Sequence, residues 1–213
     1  AVGEDFALAL AEDGTVLAWG GNASGQLGLG YIGGDPVPGG AKDETYPMFE
    51  LEPKAVIGLD GLDIIDISAG KDHALLLTAD GKVYGMGSYV YGKLSPYRTT
   101  GAAPKPVYIR LPAAAQAYDI IADESTSHIL TRSGDVLSYG KNPNNNQGYD
   151  QGQFGTSEVT RFGPVYAAGD AHSNLVAVSS GNNSVMAINS TGKVVVWGRN
   201  DMGQLGIKNV KDD

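Results

Sequence analysis

The sequence predicts an all-β fold, a β-propeller of four-stranded blades, present as an incomplete arc of about four repeats. Three observations predict it. First, a pattern of three positions recurs four times without a gap. It starts at Gly3, Gly70, Asp123 and Gly181, reaches a turn glycine eleven residues later (Gly14, Gly81, Gly134, Gly192), and closes on a glycine six residues further (Gly20, Gly87, Gly140, Gly198). Second, each turn glycine separates two short runs of strand-forming residues, the strongest local hairpin signal. Third, equivalent positions carry equivalent side chains. Val16, Val83, Val136 and Val194 follow the turn, while Trp19, Met86, Tyr139 and Trp197 precede the closing glycine. Leu10, Leu77, Leu130 and Ile188 stand seven residues after each start. A fixed period of this length means stacked supersecondary units. Branched and large apolar residues at fixed sites are what interleaved sheet faces require.

The elements follow in order. The hairpins are Phe6–Ala11 with Val16–Gly20, His73–Thr78 with Val83–Gly87, Ser127–Thr131 with Val136–Gly140, and Ser184–Asn189 with Val194–Gly198. The turn glycine supplies a positive φ that other residues adopt at a cost. A mixed apolar run such as Asp63–Ser68 supplies a further strand ahead of the hairpin. Pro53-Lys54-Ala55-Val56, Pro106-Val107-Tyr108 and Pro164-Val165-Tyr166 supply the last, since proline is accepted at the first residue of a strand or on a sheet edge. We take 1–213 as a single repeat domain with hairpin units near 3–30, 63–95, 119–155 and 175–206 and insertions at 31–52 and 142–151.

Composition narrows the function. The 31 glycines are about twice the usual share, and they are periodic, which favours tight turns over disorder. The net charge of −9 opposes a phosphate backbone, so no nucleic-acid partner is expected. There is no cysteine, hence no disulfide, thiolate metal site or cysteine nucleophile. No apolar run approaches the roughly 18 residues of a membrane helix, so no membrane insertion is expected. The N-terminus enters a strand pattern at once, with no basic leader. We expect an exported or surface-attached bacterial protein, extracellular or at the cell surface, with a cytoplasmic location as the alternative.

Candidate chemistry is sparse. Gly28-Leu29-Gly30-Tyr31-Ile32-Gly33 matches a dinucleotide-binding fingerprint in form, but Asp35-Pro36-Val37-Pro38-Gly39-Gly40 follows it and cannot open the required helix. Neither a Gly-x-Ser-x-Gly elbow nor His-Glu-x-x-His occurs. The three histidines do not cluster in sequence. His128 stands where Leu8, Leu75 and Met186 stand in the other copies and reads as a partly buried, hydrogen-bonded side chain. Asp170 and His172 do not make a metal site on their own. No cofactor, metal or catalytic residue is expected, and the chain is read as a non-enzyme. Asn22-Ala23-Ser24, Asn182-Asn183-Ser184 and Asn189-Ser190-Thr191 match glycan acceptors, as Asn-rich chains do by chance.

A second signature follows the closing glycine: Trp19-Gly20-Gly21-Asn22-Ala23-Ser24-Gly25-Gln26-Leu27-Gly28 and, in the last repeat, Trp197-Gly198-Arg199-Asn200-Asp201-Met202-Gly203-Gln204-Leu205-Gly206. With Ser68-Ala69-Gly70-Lys71-Asp72-His73, these residues resemble the repeat of the regulator-of-chromosome-condensation family across essentially the whole chain. The third copy departs from it, with Asp123 at the start and the Asn-rich stretch Asn142–Gln147 displacing Gly152-Gln153-Phe154-Gly155. The resemblance implies a ring of about seven blades, so we expect an arc of a longer propeller, or alternatively a homodimer that completes the ring. It also implies that His73 ties neighbouring strands. The family's nucleotide exchange on Ran needs basic chromatin contacts that are missing here. Its ultraviolet sensing needs a tryptophan cluster, and this chain has two Trp, both at repeat positions.

The leading expectation is therefore a protein-interaction scaffold whose specificity sits on loops over a rigid frame. Candidate contacts are Asp43, Glu44, Tyr46 and Phe49 in the first insertion and Tyr149 and Asp150 in the second, toward an unidentified protein partner. The alternative is an enzyme or enzyme-regulating module, such as a secreted inhibitor, that uses one face or the central channel.

Overall fold

Each of the four glycine-marked repeats folds into its own antiparallel sheet. The structure is a computed structural model and describes residues 1–95, 97–112, 115–141, 158–159 and 174–206. The first blade holds β1 (Phe6–Leu10), β2 (Val16–Gly21) and β3 (Phe49–Ala55), and the second β4 (Ile64–Ala69), β5 (His73–Thr78), β6 (Val83–Ser88) and β7 (Ala102–Ile109). The third holds β8 (Ala117–Ala122), β9 (Thr126–Thr131), β10 (Val136–Lys141) and β11 (Glu158–Val159), and the fourth β12 (Leu175–Gly181), β13 (Ser184–Asn189) and β14 (Val194–Gly198). The result is an arc of four propeller blades. Pro53 and Pro106 do lie on outer strands, but those strands start earlier than the sequence suggests, at Phe49 and Ala102, while Pro164-Val165-Tyr166 lies outside the described residues. An edge strand needs no donor on its free side, so an interior proline costs little there.

Alternation along each strand packs one blade on the next. Phe6, Leu8, Val16 and Ala18 of the first blade meet Ala74, Leu76 and Met86 of the second. Residues one step out of phase in the second blade (Leu75, Leu77, Val83) meet Ile120, Ile129 and Tyr139 of the third. Leu130 and Val136 then meet Val185, Ala187 and Trp197 of the fourth. The forward face of the fourth blade is different. Met186 (48% exposed) and Ile188 lie open there, at positions held by buried Leu8, Leu75 and His128 or by Leu77 and Leu130 elsewhere. Val194 is open as well.

The closing glycines are fixed by a backbone contact. A β-carbon on Gly20 would lie 2.5 Å from the Asp5 carbonyl oxygen and 2.8 Å from the Phe6 Cα, and φ is +97°. The same carbonyl accepts the next amide, Gly21 N (2.8 Å), and the device repeats at Ser88 N to Asp72 O, Lys141 N to Ser125 O and Arg199 N to Asn183 O.

Two of the start positions, Gly3 and Gly70, are fixed by the neighbouring blade. A β-carbon on Gly3 would strike the Gly70 carbonyl at 2.5 Å and the Phe6 ring at 2.2 Å. One on Gly70 would strike the Asp123 carbonyl at 2.4 Å and the His73 ring at 2.5 Å. In the third blade the residue matching Phe6 and His73 is the smaller Thr126, and a side chain fits. That side chain is Asp123, whose carboxylate accepts bonds from Ser180 Oγ and from Asn183 N (3.1 Å), both on the fourth blade. The irregular start is thus an inter-blade tie.

Among the described residues two histidines are wholly buried, and Asp170 and His172 lie outside those residues. His73 Nε2 and Ser127 Oγ are 3.0 Å apart across the second and third blades, and the Ser127 hydroxyl donates to the Lys93 carbonyl (2.8 Å). The serine proton is thereby committed, so the ring donates from Nε2. Burial, aided by the nearby Lys93 charge, pushes the His73 pKa far down. His128 is fully rather than partly buried, with Nδ1 2.7 Å from Ser138 Oγ on the facing strand β10. Burial lowers its pKa to about 4. The His128–Ser138 pair occupies the register position filled by Leu8–Ala18 in the first blade.

Two outcomes are expected. Gly14→Ala, where a β-carbon meets nothing within 4 Å, should cost the roughly 1–2 kcal/mol of a left-handed alanine. Gly20→Ala should cost about 3 kcal/mol or more because backbone cannot yield. Urea unfolding distinguishes them, and equal losses would refute the contact argument. For the histidines, the unfolded chain takes up protons below about pH 6.5 while the native rings stay neutral, so stability falls as pH drops from 6.5 toward 4. The double variant His128→Leu/Ser138→Ala should lose about 1.4 kcal/mol per pH unit of that slope. His128→Leu alone should cost about 1–3 kcal/mol at pH 7.5 by stranding the Ser138 hydroxyl.

Candidate functional site

The Asn-x-x-Gly-Gln-Leu-Gly signature builds the turn from which the first insertion leaves the blade. Asn22 is fully buried, and its Oδ1 accepts Leu27 N (3.2 Å) while its Nδ2 donates to Tyr31 O (3.1 Å). The Gln26 side chain accepts Ser24 N (2.8 Å). Asn200 and Gln204 make the same bonds in the fourth blade, to Leu205 N (3.0 Å) and Met202 N (2.9 Å). The backbone of Asn22 also grips both ends of the insertion. It accepts from Gly33 N (2.8 Å) and donates to Met48 O (2.9 Å).

Within the insertion the chain forms a small hairpin. Gly34 N donates to Tyr46 O, Tyr46 N to Asp35 O and Val37 N to Glu44 O, and Pro36 bridges Thr45. The Tyr31 and Tyr46 rings stack with centroids 4.3 Å apart. The Tyr31 hydroxyl donates to the buried Glu50 carboxylate, which also holds Lys54 Nζ at 2.5 Å. Burial works to raise the Glu50 pKa, but Lys54 and Tyr31 outweigh it and hold Glu50 ionised. The Tyr31 pKa is driven up by burial and by the Glu50 charge.

The candidate contacts take different places on this frame. Asp43 stands exposed near the hairpin tip, and the Glu44 carboxylate accepts Ala41 N (2.9 Å) beside it. Tyr46 is half-buried in the ring stack, which makes it a support of the hairpin. Phe49 belongs to β3 instead of the loop and is 57% exposed, with Met48 and Leu51 open alongside it. Tyr149 and Asp150 lie outside the described residues.

A second concave feature lies where the inner strands of all four blades converge. A cleft of about 400 Å³ is lined by the start residues Gly3, Gly70 and Asp123 and by the residues that follow starts, Glu4, Lys71, Glu124 and Asn182. Lys71 Nζ sits 3.2 Å from the Glu4 carboxylate, which raises the lysine pKa. Asn183 Nδ2 donates to Glu124 (2.8 Å). His73 lies wholly buried directly beneath Gly70 of the lining and His128 is wholly buried in the core, so the cleft offers ion pairing and hydrogen bonding without an exposed imidazole. Among the described residues no cluster of three or more metal-ligating side chains occurs.

One repeat feature escaped the sequence reading. Gly92-Lys93-Leu94 holds the place of Gly25-Gln26-Leu27, with lysine for glutamine. The Lys93 ammonium is buried and pairs with Asp72, as Gln26 Nε2 reaches the equivalent Asp5 (3.4 Å). Burial lowers the lysine pKa, and Asp72 opposes that shift. The shared Gly-x-Leu frame was the available signal.

Comparison with known proteins agrees with this geometry. The regulator of chromosome condensation (RCC1) repeat matches residues 13–77, and a second form of it matches residues 64–92 and 175–204. The secretion-regulating guanine nucleotide exchange factor of Bos taurus is 31% identical over 214 residues, covering 97% of this chain and 41% of its own length. Human WBSCR16 superposes with a TM-score of 0.79 at 21% identity, over 98% of this chain and 49% of that one. Yeast RCC1 (Prp20), solved bound to Kap60, superposes at 0.64 and 21% identity, over 94% and 42%. The chain spans less than half the length of each of these relatives. The repeat matches cover more than half of the chain, and the chain belongs to the regulator of chromosome condensation (RCC1) repeat family.

Proposed function

We propose that the chain is a non-enzymatic protein-interaction module and that the hairpin of residues 34–46, with Phe49 beside it, is the element that engages a protein partner. The observation that supports this reading most is an insertion that is built and not merely tolerated. Its ends are bonded to Asn22, its rings are stacked, and Glu50 is buried beneath it with two partners, yet Asp43, Met48 and Phe49 face solvent. Ordering an exposed loop costs conformational entropy, and a pre-ordered loop spares that cost on binding. An aromatic ring beside charged residues on such a loop has the composition of a binding patch. Two proteins of this fold fit the reading in kind: one is a secretion-regulating guanine nucleotide exchange factor, and yeast RCC1 was solved bound to Kap60.

A specific observation favours a second reading. The open Met186, Ile188 and Val194 form an apolar face on the fourth blade, and a second copy of the chain is proposed to cover it.

Replacing residues 38–43 by Asn-Gly, which suits a two-residue hairpin turn, should leave the melting temperature within a few degrees of the parent. Combined with Phe49→Ser, it should remove the proteins recovered by quantitative affinity capture from the source cell. Recovery of the same proteins in the same amounts would overturn the loop assignment. Light scattering on a sizing column should give twice the chain mass for the parent and the chain mass for Met186→Ser/Val194→Ser. A parent that stays at single mass at high concentration would remove the second reading.

A further inference from the structure

Charge is segregated along this chain. Residues 81–118 contain no Asp or Glu, yet they hold five cations (Lys82, Lys93, Arg98, Lys105, Arg110) and six of the eleven tyrosines. The rest of the sequence carries all 24 acidic residues against 10 basic ones. The two outer strands of the second blade, β6 and β7, and the loop between them are therefore a basic, tyrosine-rich island on an acidic protein.

The island has a cavity. Between β7 and the loop after β6 lies a pocket of about 200 Å³ with Leu94 and Ile109 in its wall and Tyr97, Arg98, Tyr108 and Arg110 around it. Leu94 and Ile109 are buried, whereas Tyr97 is 92% exposed. Arg98 is already positioned. Its guanidinium lies over the Tyr89 ring, 4.2 Å from the centroid, and Nε donates to Thr100 O (3.1 Å). Lys82 and Lys93 are paired with Asp80 and Asp72. Among the described residues Arg98, Lys105 and Arg110 have no carboxylate partner.

We infer that this pocket binds a short acidic peptide segment carrying an apolar or aromatic side chain. The apolar wall takes the side chain and the arginines take flanking carboxylates, in the bidentate manner that a planar guanidinium favours. Exposed tyrosine and arginine are the residues that dominate interface energetics. A long polyanion fits less well, because the residues outside the island sum to a formal charge of −14 and oppose a nucleic acid that extends past it. The inference rests on the reading of the chain as a protein-interaction module, but the pocket shares no lining residue with the 34–46 hairpin, so each stands or falls alone.

Fluorescence anisotropy of the whole chain with a labelled nonapeptide, four Glu on each side of one Phe, tests it. The peptide should bind, and its Gln counterpart should bind at least about tenfold more weakly. Arg98→Gln and Arg110→Gln, both at exposed sites, should each weaken binding by about tenfold, while Lys193→Gln, the same charge change on the fourth blade, should leave it unchanged. The inference is overturned if the acidic peptide does not bind, if all three variants behave alike, or if an oligothymidylate of equal charge binds more tightly. The hairpin-tip replacement should leave this titration unchanged, which separates failure of the pocket from failure of the loop.

Discussion

The closeness of neighbouring blades along their inner strands is the constraint on which the rest depends. At Gly3 and Gly70 the next blade's carbonyl oxygen would lie about 2.5 Å from any β-carbon. No side chain can stand there while a large residue occupies the position three further on. Glycine at the start, a bulky Phe6 or His73 above it, and tight packing of alternate strand residues are thus one solution to one problem. Asp123 with Thr126 is another solution to the same problem, with volume moved from one site to the other and the carboxylate turned into a tie to Ser180 and Asn183. Interiors packed to crystal-like density leave few such solutions, which is why glycine holds the start at Gly3 and Gly70.

The polar groups in this core are tolerated because they are paired. His73 lies against Ser127, His128 against Ser138, and Lys93 against Asp72. Each pair replaces a contact that is apolar or uncharged in another blade. The imidazoles are neutral at neutral pH, so their burial costs far less than that of a charged group, and the price falls due only in acid. The lysine is the exception, a buried cation whose carboxylate partner lies across the turn in the same blade. Removing only one member would leave a charge without its counterpart in a dry place.

Much of the fold was legible because its demands are local. A positive φ at Gly14 or a carbonyl pressed against Gly20 can be met by one residue type, so the letter itself records the geometry. The outer strands were less legible: Pro53 and Pro106 looked like strand starts because the residues before them pair only weakly in pattern, and β3 and β7 in fact begin several residues earlier. The hairpin inside the first insertion was invisible, since Gly, Pro and acids give no alternation, and its order comes from Asn22 and the Tyr31–Tyr46 stack. Lys93 stands where Gln26 stands in the first blade, and a charged residue in a Gly-x-Leu frame gives no sign in sequence that it is buried. Tyr46 reads in sequence as a contact, and the structure adds that its ring stacks on Tyr31, a pairing across the loop that no local pattern encodes.

The compensated pairs have a consequence for how such a chain can change over generations. His128 needs Ser138 opposite it, Asp123 needs the small Thr126 above and Ser180 on the next blade, and Gly70 needs the bare backbone of its neighbour. Copying one repeat into another slot would carry half of each bargain and leave the other half behind. The heritable unit of this architecture is therefore the seam between two repeats, and recombination that respects seams will yield folded descendants where exchange of whole repeats will not.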